Sequence, residues 1–356
     1  MAWALLAVLF FPVAQEGEQL NKLLQSGDFE VAAELLEKEL ALPGKRLERA
    51  EAALLLAQCY LEMRLPQKVA KALELCPQEL HQDPRYVYCK AESLVAKGDS
   101  LAAEKLLRSI KAAAAGLEVK FRLGVLLYEK GDYRGAEELL KGPAGGAMPD
   151  YYCCIYRARA LLALDRPAEG RRVLGPVQGE GGTPEVKYLS GRCAYALKEF
   201  ETAAGHFRSA LQVDAGYIEA AFLLSESLRR AGDRSGARAA QAEFLKLQKT
   251  EQGRARQANL LSQRCRREPG NISAWVEAGV FHLASKDTDQ ATSHAWQALQ
   301  LDPASVAARL LLARSLRDTG RYAQAALHYR KILVREQGNG PANTELREMI
   351  RKHADK

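Results

Sequence analysis

Apolar and polar residues follow one another with the period of amphipathic helices along nearly the whole chain. Tight turns interrupt the helical stretches, and the best-formed turns are followed by an aromatic residue and then by a small one. Gly27-Asp28-Phe29 precedes Ala32 in this way. Strong helix formers dominate, whereas runs of β-branched residues are nearly absent. The pattern predicts an all-α chain made of helix–turn–helix units.

The turns recur at a nearly constant interval. Between Arg64 and Gly232 the successive intervals are 34, 33, 34, 33 and 34 residues, and Lys286 lies 34 residues before Gly320. A single helix pair cannot bury its apolar face, but stacked pairs bury a continuous core. The helix before each turn also carries a small residue where it must approach its partner. These small residues are Gly124, Ala158, Gly191, Gly279 and Ala313.

The sequence resembles the tetratricopeptide repeat (TPR) family at the positions that define the helix pairs of that family. The matching residues are Lys198, Glu199, Phe200, Ala203, Phe207 and Ala210 in one repeat, Trp275, Gly279, Ala291, Ala298 and Pro303 in a later one, and Tyr329 in the last. The resemblance covers about residues 15–340 and implies a right-handed α-solenoid of about nine repeats.

One interval breaks the period, because Gly232 and Lys286 lie 54 residues apart. The additional segment still has a helical pattern, and it either lengthens a helix or adds one. We therefore divide the repeats into four parts. These are an N-terminal stack of about seven repeats at 15–245, a basic helical segment at 246–267, a C-terminal pair at 268–340 and a capping helix at 341–356.

The N-terminal segment differs from the repeats. Residues 2–14 read AWALLAVLFFPVA, which is too short to span a bilayer but matches the apolar core of a secretory signal. No Lys or Arg precedes Lys22, which is unusual for a signal. We interpret residues 1–14 as a signal peptide, which places the mature protein in the periplasm or outside the cell. The alternatives are an apolar first helix that caps the solenoid, and a cytoplasmic location.

Composition and motifs give no sign of catalysis. The net charge of +7 is a mild excess for 356 residues and does not by itself indicate nucleic acid. The seven cysteines include no C-x-x-C pair, so we expect most of them to be buried free thiols. No phosphate-binding loop, G-x-S-x-G or H-E-x-x-H motif is present. The sequence therefore predicts no enzyme, no cofactor and no metal site.

In the TPR family the second, fifth, ninth and twelfth residues of each first helix face a concave groove. The resemblance implies a groove lined by Tyr88, Phe121, Tyr128, Tyr152, Arg159, Tyr188, Arg192, Tyr195, Phe222 and Arg229. Tyr and Arg are common at interface hot spots. We expect the three arginines to form a ladder that binds carboxylates of an extended chain. The alternative is that several of these side chains pack between neighbouring repeats.

The basic segment 246–267 is a second candidate surface, with a single acid, Glu251. Its cations are Lys246, Lys249, Arg254, Arg256, Arg264, Arg266 and Arg267. One interpretation is a solvated helix face, and the other is a site for an acidic partner or an anionic membrane surface. The lack of interleaved aromatic residues argues against nucleic acid. The family's carboxylate clamp for chaperone tails needs Asn in first helices, and only Asn21 can lie in one, so we exclude that partner class.

These observations favour a non-catalytic, exported scaffold that holds an extended segment of another protein. One alternative is a cytosolic assembly or regulatory adaptor. Another is an accessory subunit that presents substrate to an enzyme acting on envelope polymers, since groove aromatics bind glycan as well as peptide. The repeat pattern does not identify the partner, because the binding residues of a repeat protein vary while its fold stays fixed.

Overall fold

The computed structural model describes residues 14–42, 46–110, 116–141, 149–178, 182–336 and 338–353. Those residues form nineteen α-helices and no β-strand, so the predicted all-α class is confirmed. In chain order, nine short turns with the same backbone conformation join the first eighteen of these helices two by two. This number agrees with the nine repeats expected from the spacing of the turns.

The helices have the following bounds in the described residues. Up to the middle of the chain they are α1 (Ala14–Ser26), α2 (Phe29–Ala41), α3 (Arg46–Glu62), α4 (Pro66–Glu74), α5 (Pro84–Ala96), α6 (Ser100–Arg108), α7 (Leu117–Lys130), α8 (Tyr133–Leu139), α9 (Pro149–Ala163) and α10 (Pro167–Leu174). They continue as α11 (Pro184–Ala196), α12 (Phe200–Val213), α13 (Ile218–Ala231), α14 (Arg234–Arg267), α15 (Ile272–Ala284), α16 (Thr288–Leu301), α17 (Val306–Asp318), α18 (Tyr322–Arg335) and α19 (Gly340–His353).

The described residues fall into two compact units. The central unit is Asp99–Gly253, and the terminal unit is drawn from Met1–Gly98 and Arg254–Lys356. The central unit therefore holds α6 to α13 and the start of α14. The terminal unit holds α1 to α5, the end of α14 and α15 to α19.

Every helix pair is joined by a turn with the same backbone conformation. The turn residues have φ values from +57° to +90°, and they are Gly27, Arg64, Gly98, Gly131, Asp165, Lys198, Gly232, Lys286 and Gly320. This left-handed conformation ends the first helix. In five of the nine turns the following residue is an Asp that caps the second helix, as where Asp132 accepts a hydrogen bond from the backbone N–H of Gly135 at 3.0 Å. The sequence marker of those five repeats is thus a C-cap followed by an N-cap. The other four turns have Leu65, Arg166, Glu199 or Arg321 after the left-handed residue, and these form no side-chain cap.

Small residues in the first helices permit close packing, as the sequence predicts. A β-carbon added at Gly191 of α11 would lie 2.6 Å from the Phe207 ring of α12, and one at Gly279 would lie 2.3 Å from Leu311. Phe207 is fully buried, and its cluster includes Ala220 of α13. The core of the central unit therefore runs from one helix pair to the next.

The additional segment 246–267 is the second part of α14, which is 34 residues long. Of the two alternatives left by the sequence, the segment thus lengthens a helix. Every residue from 251 to 257 is exposed, and the buried side chains of α14 are Leu261 and Cys265, near its end.

The last helix, α19, covers the end of the repeats in the terminal unit. Its Leu346 and Met349 are buried. The Tyr329 hydroxyl of α18 donates a hydrogen bond of 2.8 Å to Glu345, and Arg314 of α17 binds the same carboxylate at 2.6 Å. These contacts are those expected of a capping helix.

The first and last repeats of the terminal unit contact each other through charged side chains. Arg309 of α17 binds the Glu30 carboxylate of α2 with two nitrogens, at 2.9 and 3.2 Å. Lys331 of α18 binds Glu30 at 3.0 Å and Asp28 at 2.9 Å. The four side chains are at most 25% exposed, so the cluster is largely shielded from water.

The expected signal peptide lies at residues 1–14, and residues 1–13 are outside the described part of the chain. That expectation therefore stays a prediction. Among the helices that are described, none is both long and apolar enough to cross a membrane.

Candidate partner-binding groove

The ten predicted groove residues lie on five first helices. Tyr88 is half-buried on α5 of the terminal unit, and the other nine belong to α7, α9, α11 and α13 of the central unit. The contacts of these nine side chains differ along the row, from core packing at one end to an open pocket near the other.

Phe121 and Tyr128 of α7 pack between helix pairs. Their ring centroids lie 5.8 and 5.9 Å from that of Tyr156 on α9, in edge-to-face geometry. Both side chains are half-buried. The next aromatic residue, Tyr152, is 52% exposed, with its ring 6.4 Å from Phe121. For Phe121 and Tyr128, packing between repeats is therefore at least part of their role, whereas Tyr152 is open to a ligand.

Arg159 of α9 already has an acidic partner. Its guanidinium forms an ion pair with Glu185 at the start of α11, and it also lies 5.0 Å from the Tyr156 ring centroid. The two partners are 32% and 34% exposed. A ligand carboxylate at this position would have to displace Glu185.

A pocket of about 640 Å³ opens between α11, α13 and the first part of α14. It is lined by Tyr188, Arg192, Ile218, Glu219, Phe222, Leu223 and Phe244. Phe222 is 47% exposed, and its ring lies 5.3 Å from that of Phe244. The pocket thus joins three predicted groove residues, Tyr188, Arg192 and Phe222, to a wall that is mostly apolar.

The polar groups of this pocket are few. The Arg192 guanidinium lies 5.9 Å from the Tyr188 ring centroid, and Arg192 is half-buried. Burial raises the pKa of the Tyr188 hydroxyl, which the charge of Arg192 partly offsets. Tyr188 is held in place by the neighbouring rings, at 4.9 Å from Tyr217 and 5.9 Å from Phe207. The Arg192 side chain therefore stands on a fixed aromatic base at the pocket wall.

Tyr195 and Arg229 meet at one carboxylate. The Tyr195 hydroxyl donates to Glu226 of α13 at 3.4 Å, and Arg229 binds Glu226 at 2.5 Å. Hydrogen bonds from Arg229, and then from Arg230, lower the pKa of Glu226 to about 2. The predicted ladder of three arginines is thus locally neutralised at Arg159 and Arg229.

Sequence reasoning missed the acidic residues of the groove. Glu185 and Glu219 occupy the second position of their first helices, and Glu226 occupies the ninth. These are positions that the family pattern assigns to the groove, so the same rule finds them. The predicted groove lining contained only the aromatic and basic residues at those positions.

The seven cations of segment 246–267 lie along α14. Lys246 is 3.7 Å from Glu243, and Arg264 pairs with Glu277 and lies 3.9 Å from Glu268. All seven are exposed. Ion pairs therefore reduce the positive charge at both ends of this segment. Such partial neutralisation is typical of a solvated helix face.

Other reactive groups do not assemble into a site. The described residues hold no cluster of His, Cys, Asp and Glu suited to a metal ion. All seven cysteines are free thiols, and five are buried. Burial raises the pKa of Cys76 and of Cys193 to about 11. Such thiols are protonated near neutral pH and are poor nucleophiles.

Several solved structures are distantly similar to this chain. Among solved structures, MamA of MSR-1 is 19% identical and aligns with 47% of this chain and 98% of its own, with a TM-score of 0.40. The Cut9–Hcn1 hetero-tetramer of the APC/C is 12% identical, with coverages of 97% and 91% and a TM-score of 0.36. The Rap protein complexed with competence and sporulation factor is 14% identical, with coverages of 93% and 98% and a TM-score of 0.43. At these TM-scores the likenesses say nothing about function.

A search among curated proteins finds no match. Two family models, both described as tetratricopeptide repeat, match the sequence. One covers residues 18–86, 88–149 and 157–218, and the other covers 282–346. The first alone covers more than half of the sequence, and its matches start at intervals of about two repeats. The chain therefore belongs to the tetratricopeptide repeat family.

Proposed function

We propose that this protein is a non-catalytic scaffold that binds an extended segment of another protein along α9, α11 and α13. The observation that carries the proposal is the pocket of about 640 Å³ in which Tyr188, Arg192 and Phe222 stand together. Covering an exposed aromatic side chain stabilises a complex, and aromatic residues and Arg dominate interface hot spots. Membership of a family of interaction modules supports a protein as the ligand.

Site-specific photo-crosslinking in the native cell tests this proposal. A benzophenone amino acid replaces Phe222 in one variant and Val334, an 83% exposed side chain of α18, in the control. We expect a discrete adduct from position 222 and not from position 334. Phe244→Ala, which removes part of the pocket wall, should lower the yield at least about tenfold because wall contacts contribute most of the affinity. Protease sensitivity of the adduct separates a protein ligand from a glycan.

The melting temperature of each variant is the control for folding. Lost crosslinking with an unchanged melting temperature supports a binding pocket, since solvent-facing side chains contribute little to the fold. Equal adducts at positions 222 and 334, or a yield that Phe244→Ala leaves unchanged, would show that the pocket is not the binding site.

We propose further that the scaffold is exported. The support is the apolar stretch at residues 2–14 with Ala14 as a small residue before the cut. The mass of the native protein should correspond to a chain that starts near Gln15. A native chain that retains Met1 would contradict the proposal and leave the cytosolic adaptor.

A further inference from the structure

Two neighbouring pairs of first helices carry the same arrangement of charges. Arg159 directly follows the small residue Ala158 of α9, and it forms an ion pair with Glu185, the second residue of the next first helix. One repeat later, Arg192 again directly follows the small residue, here Gly191 of α11, and Glu219 is the second residue of the following first helix, α13. The sequence therefore offers the same ion pair twice in succession.

The second of these ion pairs does not form. Arg192 and Glu219 both line the pocket, yet Arg192 makes no ion pair with any carboxylate in the part of the chain that the structure describes. Its guanidinium instead rests against the Tyr188 ring. The apolar side chains of Ile218, Phe222 and Phe244 occupy the surrounding wall. The pocket thus contains both residues of the equivalent position, but not the ion pair between them.

The Arg192 guanidinium, which lacks an ion-pair partner among the described residues and lines a mostly apolar pocket, favours binding of a ligand carboxylate. Arg binds carboxylates through two parallel hydrogen bonds, and its stacking on an aromatic ring limits the rotamers it can adopt. The neighbouring apolar wall lowers the local dielectric constant, so the attraction is stronger than on an open surface. The carboxylate of Glu219, on α13, repels a second acid. The ligand acid must therefore enter beside α11 while an apolar side chain fills the wall by Phe222.

We infer that the pocket selects protein segments in which Asp or Glu stands beside a large apolar residue. The inference rests on the proposed function, and it adds the chemistry of the partner. The apolar residue covers Phe222 and Phe244, and the acid replaces the partner that Arg192 lacks. Arg159 does not have this role, because Glu185 already neutralises it.

A library of random peptides displayed on phage tests the inference on the full chain. Peptides selected on the wild type should be enriched in Asp or Glu next to Phe, Leu or Trp. Peptides selected on Arg192→Glu should carry Lys or Arg in place of the acid. A selected peptide is then synthesised, and its affinity is measured by fluorescence anisotropy. Arg192→Ala should weaken binding about tenfold or more, because a charge-assisted pair is lost.

Matched variants separate the possible outcomes. Arg159→Ala removes the same side chain from the neighbouring repeat and should change the affinity less than about twofold, since that guanidinium is already paired. Glu219→Gln should tighten binding by removing the competing charge. Replacing the acid of the peptide by its amide should weaken binding to the wild type but not to Arg192→Ala.

Different results would overturn the acid preference of the pocket and the scaffold function itself. Peptides that need Phe222 but show no acid preference would overturn the inference and leave the scaffold function intact. Peptides that bind equally to wild type and Phe222→Ala, or a selection without enrichment, would overturn both.

Discussion

Gly191 shows how a single hydrogen in place of a methyl group sets the distance between two helices. A β-carbon there would lie 2.6 Å from the Phe207 ring, which is fully buried and cannot move aside. Gly191→Ala should therefore destabilise the central unit by about 1–2 kcal/mol, because overpacking exceeds the gain in helix propensity. Urea unfolding followed by circular dichroism measures the change.

Gly205 of α12 provides the matched control. It lies in a helix interior, and a β-carbon there would meet no atom within 4 Å. Gly205→Ala should stabilise the protein by about 0.5–1 kcal/mol through helix propensity alone. Equal effects of the two substitutions would contradict the close approach of α11 and α12.

The residues of the candidate site were only partly predictable from the sequence. The family pattern predicts which positions line the groove, and the pocket contains Tyr188, Arg192 and Phe222 from that set. It does not predict which arginine is paired, because pairing depends on the distance between helices as well as on their sequences. Arg159 and Arg192 stand at equivalent positions, but only Arg159 has an acidic partner among the described residues.

At the level of elements, the turns were the most predictable feature. The sequence marks the Gly-Asp turns clearly, because a left-handed backbone conformation and an N-cap each favour few residue types. Lys198 and Lys286 adopt the same left-handed φ without being glycine, at 64° and 62°. The constant spacing of the repeats located those turns where residue type alone would not.

The sequence pattern did not decide whether the additional segment lengthens a helix or adds one. The physical reason for a continuous α14 can nevertheless be found in the sequence. No turn signal like those of the other repeats separates residue 234 from residue 267. Gly253 is a weak helix former, but a lone glycine does not end a helix. The helix consequently continues to Arg267, and Pro269-Gly270 form the turn that follows.

The middle of α14 should be the least protected long helical stretch in the described part of the chain. Residues 251–257 are all exposed, so little burial protects their backbone from solvent. Their amide hydrogens should exchange at least about a hundredfold faster than those of α12, whose Phe207 and Ala210 are buried. Hydrogen–deuterium exchange with mass spectrometry measures both segments in one experiment.

Gly253→Ala tests whether helix propensity controls this exchange. Because a β-carbon at that position has no neighbour within 4 Å, the variant should slow exchange about fivefold. Exchange in 251–257 as slow as in α12 would contradict the exposure of this stretch.

At the level of the whole molecule, the period predicts that the repeats stack but not which repeats contact one another at a distance. The terminal unit joins residues near both ends of the chain, as in the ion pairs of Glu30 with Arg309 and of Arg64 with Asp289. A local repeat pattern contains no information on contacts between residues more than 200 positions apart. Glu30 and Arg309 are ordinary polar positions of their helices when the sequence is considered alone.

The charged cluster between the first and last repeats should make the terminal unit sensitive to acid. Burial alone raises the pKa of Glu30, but the hydrogen bonds and charge of Arg309, with the charge of Lys331, lower it from 4.5 to about 2. A carboxyl group whose pKa is lower in the folded state stabilises that state above its unfolded pKa. The stabilisation is then lost progressively as the pH falls from 4.5 towards 2.

Glu30→Gln isolates this contribution. Near neutral pH the variant should be less stable by about 2 kcal/mol, because it leaves Arg309, which is 11% exposed, without its carboxylate. The difference between wild type and variant should shrink as the pH falls through the same window. His328 contacts Arg309 at 3.4 Å, and burial, with the charges of Lys331 and Arg309, lowers its pKa to about 3. Since wild type and variant both keep His328, its own titration largely cancels in the difference.

The control for the cluster is Asp289→Asn, which removes the exposed partner of Arg64. This ion pair also joins distant parts of the terminal unit, but its side chains are 46% and 73% exposed. Water screens such a pair, so its loss should change stability by no more than about 0.5 kcal/mol at any pH. For both variants the measurement is the protection of the α2 (Phe29–Ala41) amide hydrogens against exchange. A probe within the terminal unit is needed because the two compact units need not unfold together. A pH-independent difference for Glu30→Gln, or an equal effect of the two substitutions, would mean that shape rather than charge holds the first repeat against the last.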